Sequence, residues 1–106
     1  MSFNKKIIYD NGNDFFKLRG DSVMALTPKA AKEVCAEATK RNKFVWIVEG
    51  GHWLSPGYRP DSATRWDARP ELEKANKIKE NNELAIQNIT EDASYGYNAF
   101  MITLSR

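Results

Sequence analysis

The sequence predicts an α+β domain: a small sheet, antiparallel or mixed, with two helices on one face and a hairpin added at the N-terminus. Three observations carry that expectation. Phe44-Val45-Trp46-Ile47-Val48 is a run of β-branched and aromatic residues, and Tyr97 to Leu104 alternates, with Phe100, Ile102 and Leu104 on one face. Two other stretches space apolar residues as helices do: Ala30, Ala31, Val34, Cys35 and Ala38, then Ala85, Ile86, Ile89 and Ala93. A chain of 106 residues, 42% hydrophobic and 28% charged, has the size of one domain, and its three Trp, four Tyr and five Phe can fill a core.

In chain order, Lys5 to Tyr9 and Phe15 to Arg19 read as a hairpin around the turn-forming Asp10-Asn11-Gly12-Asn13. Thr27-Pro28 starts the first helix. The threonine hydroxyl can accept from an orphan amide of the first turn, and proline there lacks an N–H that would go unpaired. Lys40, Arg41 and Lys43 meet the negative end of the helix dipole, so the helix stops near Asn42. Gly50-Gly51 after the Phe44–Val48 strand is a two-residue turn signal returning the chain through His52-Trp53-Leu54. From Ser55 to Lys79 the regularity disappears around Pro56, Pro60 and Pro70, and a long surface excursion is expected. Asn81 or Asn82 can cap the second helix, and Gly96 suits the left-handed position after it.

No run approaches the roughly 20 apolar residues that span a bilayer, and the N-terminus lacks a secretory pattern. With one cysteine, Cys35, no internal disulfide forms, and a cytoplasmic protein is expected. Cys35 lies in the apolar stripe and reads as a small core residue. Trp46 is also expected in the core. The formal charge of +2 conceals an asymmetry. Residues 1–46 hold nine basic and five acidic side chains, and residues 47–106 hold seven and nine.

The region from Glu49 to Asp61 concentrates the unusual residue types. An enzyme reading pairs His52, the sole histidine, with Glu49 across the expected turn, but a structural hydrogen bond explains the pair equally well. The sequence has no two-histidine metal motif, phosphate-cradling glycine loop or nucleophile elbow. An RNA-binding reading joins Trp53, Tyr58 and Trp66 with Arg59, Arg65 and Arg69, against which stand the interleaved Asp61, Asp67, Glu71 and Glu73. The same mixture suits a protein interface, where Trp, Tyr and Arg are the usual anchors and carboxylates steer a basic partner.

From Met24 onward the sequence resembles the immunity proteins of the colicin E five type, whose toxin cuts tRNA anticodon loops. The residues that carry the resemblance are Leu26, Pro28-Lys29-Ala30-Ala31, Glu33-Val34-Cys35, Gly50-Gly51-His52-Trp53-Leu54, Pro56-Gly57, Arg59, Asp61-Ser62 and Trp66. They continue through Glu80-Asn81-Asn82, Leu84-Ala85-Ile86, Asn88-Ile89, Asp92, Gly96-Tyr97, Ala99-Phe100 and Ile102-Thr103-Leu104, so that the match covers about 80 of the 106 residues. The resemblance implies a non-enzymatic inhibitor. It would bind the C-terminal ribonuclease domain of a cognate toxin in a 1:1 complex and occlude the RNA-binding cleft as an anticodon mimic. No cofactor, metal, membrane or direct nucleic-acid contact is implied.

Together with the interface reading, this makes Trp53, Tyr58, Arg59, Asp61 and Trp66 the expected toxin-facing centre, and Asp67, Glu71 and Glu73 its electrostatic rim. Glu49, His52, Glu91 and Asp92 come next. The whole chain is expected to be one immunity domain, with residues 1–23 as an extension upstream of a family-like core at 24–106. The divergent stretch Asp67 to Lys79 leaves one alternative, an immunity protein against a contact-dependent-inhibition ribonuclease toxin, and the aromatic-arginine mixture leaves another, a small RNA-binding domain.

Overall fold

A ten-residue strand, β1 (Val45–Leu54), runs through the middle of the sheet and pairs antiparallel with every other strand: β2 (Gly57–Pro60), β3 (Trp66–Asp67) and β4 (Ala99–Leu104). The computed structural model describes residues 3–54, 57–61 and 64–106. Val48 is partnered by both Ile102 and Trp66, and Gly51 by both Ala99 and Pro60. Therefore β4 lines one edge of β1, while β3 and β2 lie end to end along the other. Among the described residues four helices accompany the sheet: α1 (Asn13–Lys17), α2 (Pro28–Lys40), α3 (Pro70–Lys74) and α4 (Ile78–Ser94). The fold is α+β, as the sequence predicts.

The two long helices form where their start and stop signals place them. Thr27 Oγ1 accepts from Ala30 N–H at 3.1 Å, Pro28 occupies the first turn, and Asn42 adopts φ 58° just past the C-terminus of α2. The alanine-rich stripe of α2 lets it lie close to both α4 and β4. Both helices cover one face of the sheet, where Val45, Val48, Phe100 and Ile102 meet Val34, Cys35, Ala85 and Ile89. Burial alone raises the Cys35 thiol pKa to about 12, so it behaves as a core residue. Among the described residues no helix is long and apolar enough to cross a membrane.

The N-terminal segment departs from the expected hairpin. Phe15 to Lys17 belong to α1, because the Asn11 side chain accepts from Asn13 N–H at 2.9 Å and the Asn11 carbonyl from Asp14 N–H at 3.1 Å, which winds the chain helically. Phe15 enters the common core, and the Arg41 guanidinium sits 4.2 Å over the Phe16 ring. Tyr9 makes a single parallel bridge to Leu26, which bridges in turn to Phe100 of β4.

Gly50-Gly51 is not a turn. The strand continues through it, because a Cβ on Gly51 would collide with the Arg59 carbonyl oxygen and one on Gly50 would stand 2.8 Å from Thr64 Oγ1. Both glycines serve close approach of the neighbouring chain. The stretch expected as a long excursion holds β2, β3 and α3, although Ser55, Pro56, Ser62 and Ala63 lie outside the described residues.

Asn81 and Asn82 do not cap α4, which starts earlier at Ile78. Both are fully buried. Asn82 Oδ1 accepts from Val45 N–H at 2.9 Å, and its Nδ2 donates to Lys43 O at 2.9 Å and Thr39 Oγ1 at 3.0 Å. Asn81 Nδ2 donates to Val45 O at 3.0 Å and Asn82 Oδ1 at 3.0 Å. Trp46, expected in the core, is only half-buried. The sheet register shifts between Val45 and Ile47, and the Trp46 indole N–H donates to Glu73 Oε2 at 3.0 Å. Asn82→Ala would leave several buried partners unpaired, so it is expected to cost on the order of 3 kcal/mol of stability. Urea unfolding should show a lower midpoint at unchanged slope.

Candidate functional site

The side-chain alternation of β1 sorts the expected site residues by face. Val48 and its partner Trp66 point toward the helices. Ile47, Glu49 and Trp53 point the other way, together with their partners Asp67, Thr103, Met101 and Tyr58. Among the described residues no helix layer covers this second face. The molecule measures 40 × 32 × 17 Å, and the short dimension corresponds to one sheet and one layer of helices.

Trp53 and Tyr58 are directly opposed across β1 and β2, both half-buried. Two contacts fix them. Asn98 Oδ1 accepts from Trp53 N–H at 2.9 Å, and the Tyr58 hydroxyl donates to the Glu49 carbonyl at 3.2 Å. Gly51 lies between Glu49 and Trp53 on this face and contributes no side chain. Asp67 is exposed and forms a two-pronged pair with Arg65, Nε to Oδ2 and Nη2 to Oδ1, each 3.1 Å. That pairing raises the Arg65 pKa.

Arg59 is exposed, and its β1 partner is His52 on the helix-side face. Asp61 closes the end of β2: its N–H donates to Gly50 O at 3.0 Å, and its Oδ2 accepts from the Tyr97 hydroxyl at 2.7 Å. The buried Thr64 hydroxyl, 2.7 Å from Asp61 O and 2.8 Å from Gly50 O, holds this corner against β1. Trp66 is half-buried with its ring packed on the core. Glu71 and Glu73 are exposed on α3, Glu73 bound to the Trp46 indole.

The structure thus brings Trp53, Tyr58 and Asp67 onto one open face, with Arg59 exposed on the edge strand β2 and Glu73 tied to the Trp46 indole, whereas Glu71 lines the groove between α3 and α4. Asp61 and Trp66 lie in supporting positions. Glu49 and His52 cannot form the acid-base pair of the enzyme reading, since three residues along one strand put them on opposite faces. His52 instead packs its ring 4.9 Å from that of Tyr97. The residues that sequence reasoning missed are Ile47, Met101 and Thr103; Arg65, read there only as a contact to RNA, pairs with Asp67 beside them. Reading the alternation of β1 through Gly50-Gly51 would have found Ile47 and its neighbours.

The family model for the colicin-E5 Imm protein matches residues 24–105. The chain belongs to the colicin-E5 immunity protein family. It is 52% identical over 81 residues to the colicin-E5 immunity protein of Escherichia coli, covering 76% of this chain and 98% of that protein. To the Escherichia coli colicin-E5 immunity protein in ColE9 it is 51% identical over the same length and shares. To the immunity protein CdiI of Burkholderia pseudomallei it is 33% identical over 104 residues, 97% of this chain and 94% of that protein. Coverage of 97% takes in most of the N-terminal segment that precedes the family match. A member of this immunity family is an inhibitor that works by binding its cognate toxin.

Burial, then the charge of Glu49, raises the Tyr58 phenol pKa from 10.0 to about 12. A raised folded value favours the protonated form. Its stabilising effect is therefore complete below pH 10 and is lost as pH rises toward about 12. Carbon-13 NMR of labelled tyrosine should show one ring titrating near pH 12, with Glu49→Gln lowering that midpoint.

Proposed function

We propose that this chain protects its cell in the cytoplasm by binding the C-terminal ribonuclease domain of one cognate toxin, in a 1:1 complex. It covers the RNA-binding cleft and stands in for the anticodon stretch. The observation that carries this reading is the Trp53–Tyr58 pair on a sheet face without a helix layer, bordered by carboxylates and arginines. Rings can take the places of bases and carboxylates those of phosphates. A cleft that binds RNA must be basic, and residues 47–106 carry nine acidic against seven basic side chains.

Within this reading Trp53 and Tyr58 touch the toxin at the centre. Asp67, Glu73 and Arg59 form the charged rim, and Asp61 and Trp66 hold the frame. The toxin of a contact-dependent-inhibition system is the second reading. It is favoured by one fact: the CdiI relative aligns over 97% of the chain, whereas the family match begins at residue 24.

Co-expression with the nuclease domain of the toxin encoded directly upstream tests both readings. Cells should survive, and the two chains should co-purify one to one; death of the cells in the presence of the intact chain would exclude this toxin as the cognate partner. Trp53→Ala and Tyr58→Ala are each expected to weaken the complex by about 2 kcal/mol, or roughly 30-fold in Kd. Asp67→Ala should mainly slow association and reduce its salt dependence. Stopped-flow and calorimetric titrations of the purified pair distinguish these effects, with thermal melts confirming that each variant is folded.

A further inference from the structure

An antiparallel sheet with one face in water normally alternates apolar-in and polar-out. The bare face of this sheet breaks that rule. By register it presents Ile47, Met101, Trp53 and Tyr58 around Glu49, with the Arg65–Asp67 pair at its side. All of these except Arg65 and Asp67 are half-buried.

The lysines point the same way. The chain has ten, and none lies between Lys43 and Lys74, the stretch that supplies β1, β2 and β3; β4 has none either. Aromatic residues, methionine and arginine without lysine are the composition of an interface centre rather than of a solvated surface. Among the described residues the Glu49 carboxylate forms no close ion pair and no side-chain hydrogen bond; its charge acts on the Tyr58 phenol and on the Arg65 guanidinium, which Asp67 already pairs.

We propose that the basic cleft of the toxin seats on this bare sheet face, with Ile47 and Met101 extending the apolar centre beyond Trp53 and Tyr58, and Glu49 receiving a lysine or arginine of the toxin. The inference rests on the ribonuclease reading above and fixes which face performs it. The opposite side of the molecule does not suit the same partner. The exposed side of α2 carries Lys29, Lys32, Lys40 and Arg41 against Glu33 and Glu37, which a basic cleft would oppose. The groove between α3 and α4 is acidic, with Glu71, Glu80 and Glu83 beside Leu72 and Leu84, but Arg69 lines it too and it holds no aromatic ring.

The test measures binding of the upstream-encoded nuclease domain to the full chain and to Glu49→Gln, Glu49→Lys, Met101→Gln, Met101→Lys and Glu83→Lys. Circular dichroism and thermal melting accompany every variant. Glu49→Gln and Met101→Gln are expected to weaken binding about tenfold, and Glu49→Lys and Met101→Lys by a hundredfold or more. Glu83→Lys should stay within about threefold of the unmodified chain. If the lysine variants fail to fold, the two glutamine variants decide. Binding unchanged in these, with a tenfold loss in Glu83→Lys, would move the interface to the α3–α4 groove and overturn the proposal. So would a homodimer that forms without toxin and is split by Met101→Gln while toxin affinity is unchanged. Failure of the unmodified chain to bind any nuclease domain would instead overturn the ribonuclease reading.

Discussion

The two adjacent buried amides of Asn81 and Asn82 hold the helix layer in register with the sheet. Hydrophobic burial of Val34, Val48, Ile89, Phe100 and Ile102 supplies more free energy, about 1.5–3 kcal/mol for each large side chain, but it is non-directional. The amides are directional. They take both main-chain groups of Val45 on the edge where β1 has no strand partner, and Asn82 reaches Lys43 and Thr39 as well. The start of β1, the end of α2 and the first turns of α4 are thereby tied at one point, and Asn81 also accepts from Arg69 N–H at the start of α3. A fully satisfied buried polar cluster of this kind specifies one arrangement where an apolar one would tolerate several. The register shift just after Val45 and the outward turn of Trp46 both follow from it.

From that anchored start, β1 continues past the register shift to Leu54 without turning and decides which side chains see solvent. The helices spend their apolar stripes on one face, and Gly50 and Gly51 let β2 and the Asp61–Thr64 corner lie flush against the strand. The Asp61–Tyr97 hydrogen bond joins this corner to the segment leading into β4. The bare face is therefore built on a tied base, with the Tyr58 ring held by the Glu49 carbonyl and the Trp53 main chain by the Asn98 side chain. Such preorganisation lowers the ordering cost of association.

Much of this was legible in the sequence. Thr27-Pro28, Asn42 and Gly96 marked helix ends because each satisfies or terminates the backbone locally, and the alternation of β4 is a local pattern too. The misreadings share a different cause. Gly50-Gly51 looks like a turn until a chain arriving from residues 59–64 forbids any Cβ there. Asn81 and Asn82 look like caps until Val45, some 36 residues away, claims their amides. Phe15 and Phe16 fit a strand as well as a helix, and the turn chemistry of Asn11 chose the helix. The chemistry of the candidate site was visible as residue types, but its division between two faces required knowing that the strand does not turn.

The bridge from Tyr9 to Leu26 and on to Phe100 has a consequence for the chain in the absence of any toxin. Tyr9 donates to Ala25 O and accepts from Thr27 N–H, each at 2.9 Å, while Leu26 and Phe100 exchange two hydrogen bonds of 2.8 Å. An open strand edge invites edge-to-edge pairing with a second chain and then aggregation. The segment before Met24 covers the margin beside Leu26 with a strap and a short helix, so the protein can accumulate in excess of its target without its sheet growing from that side.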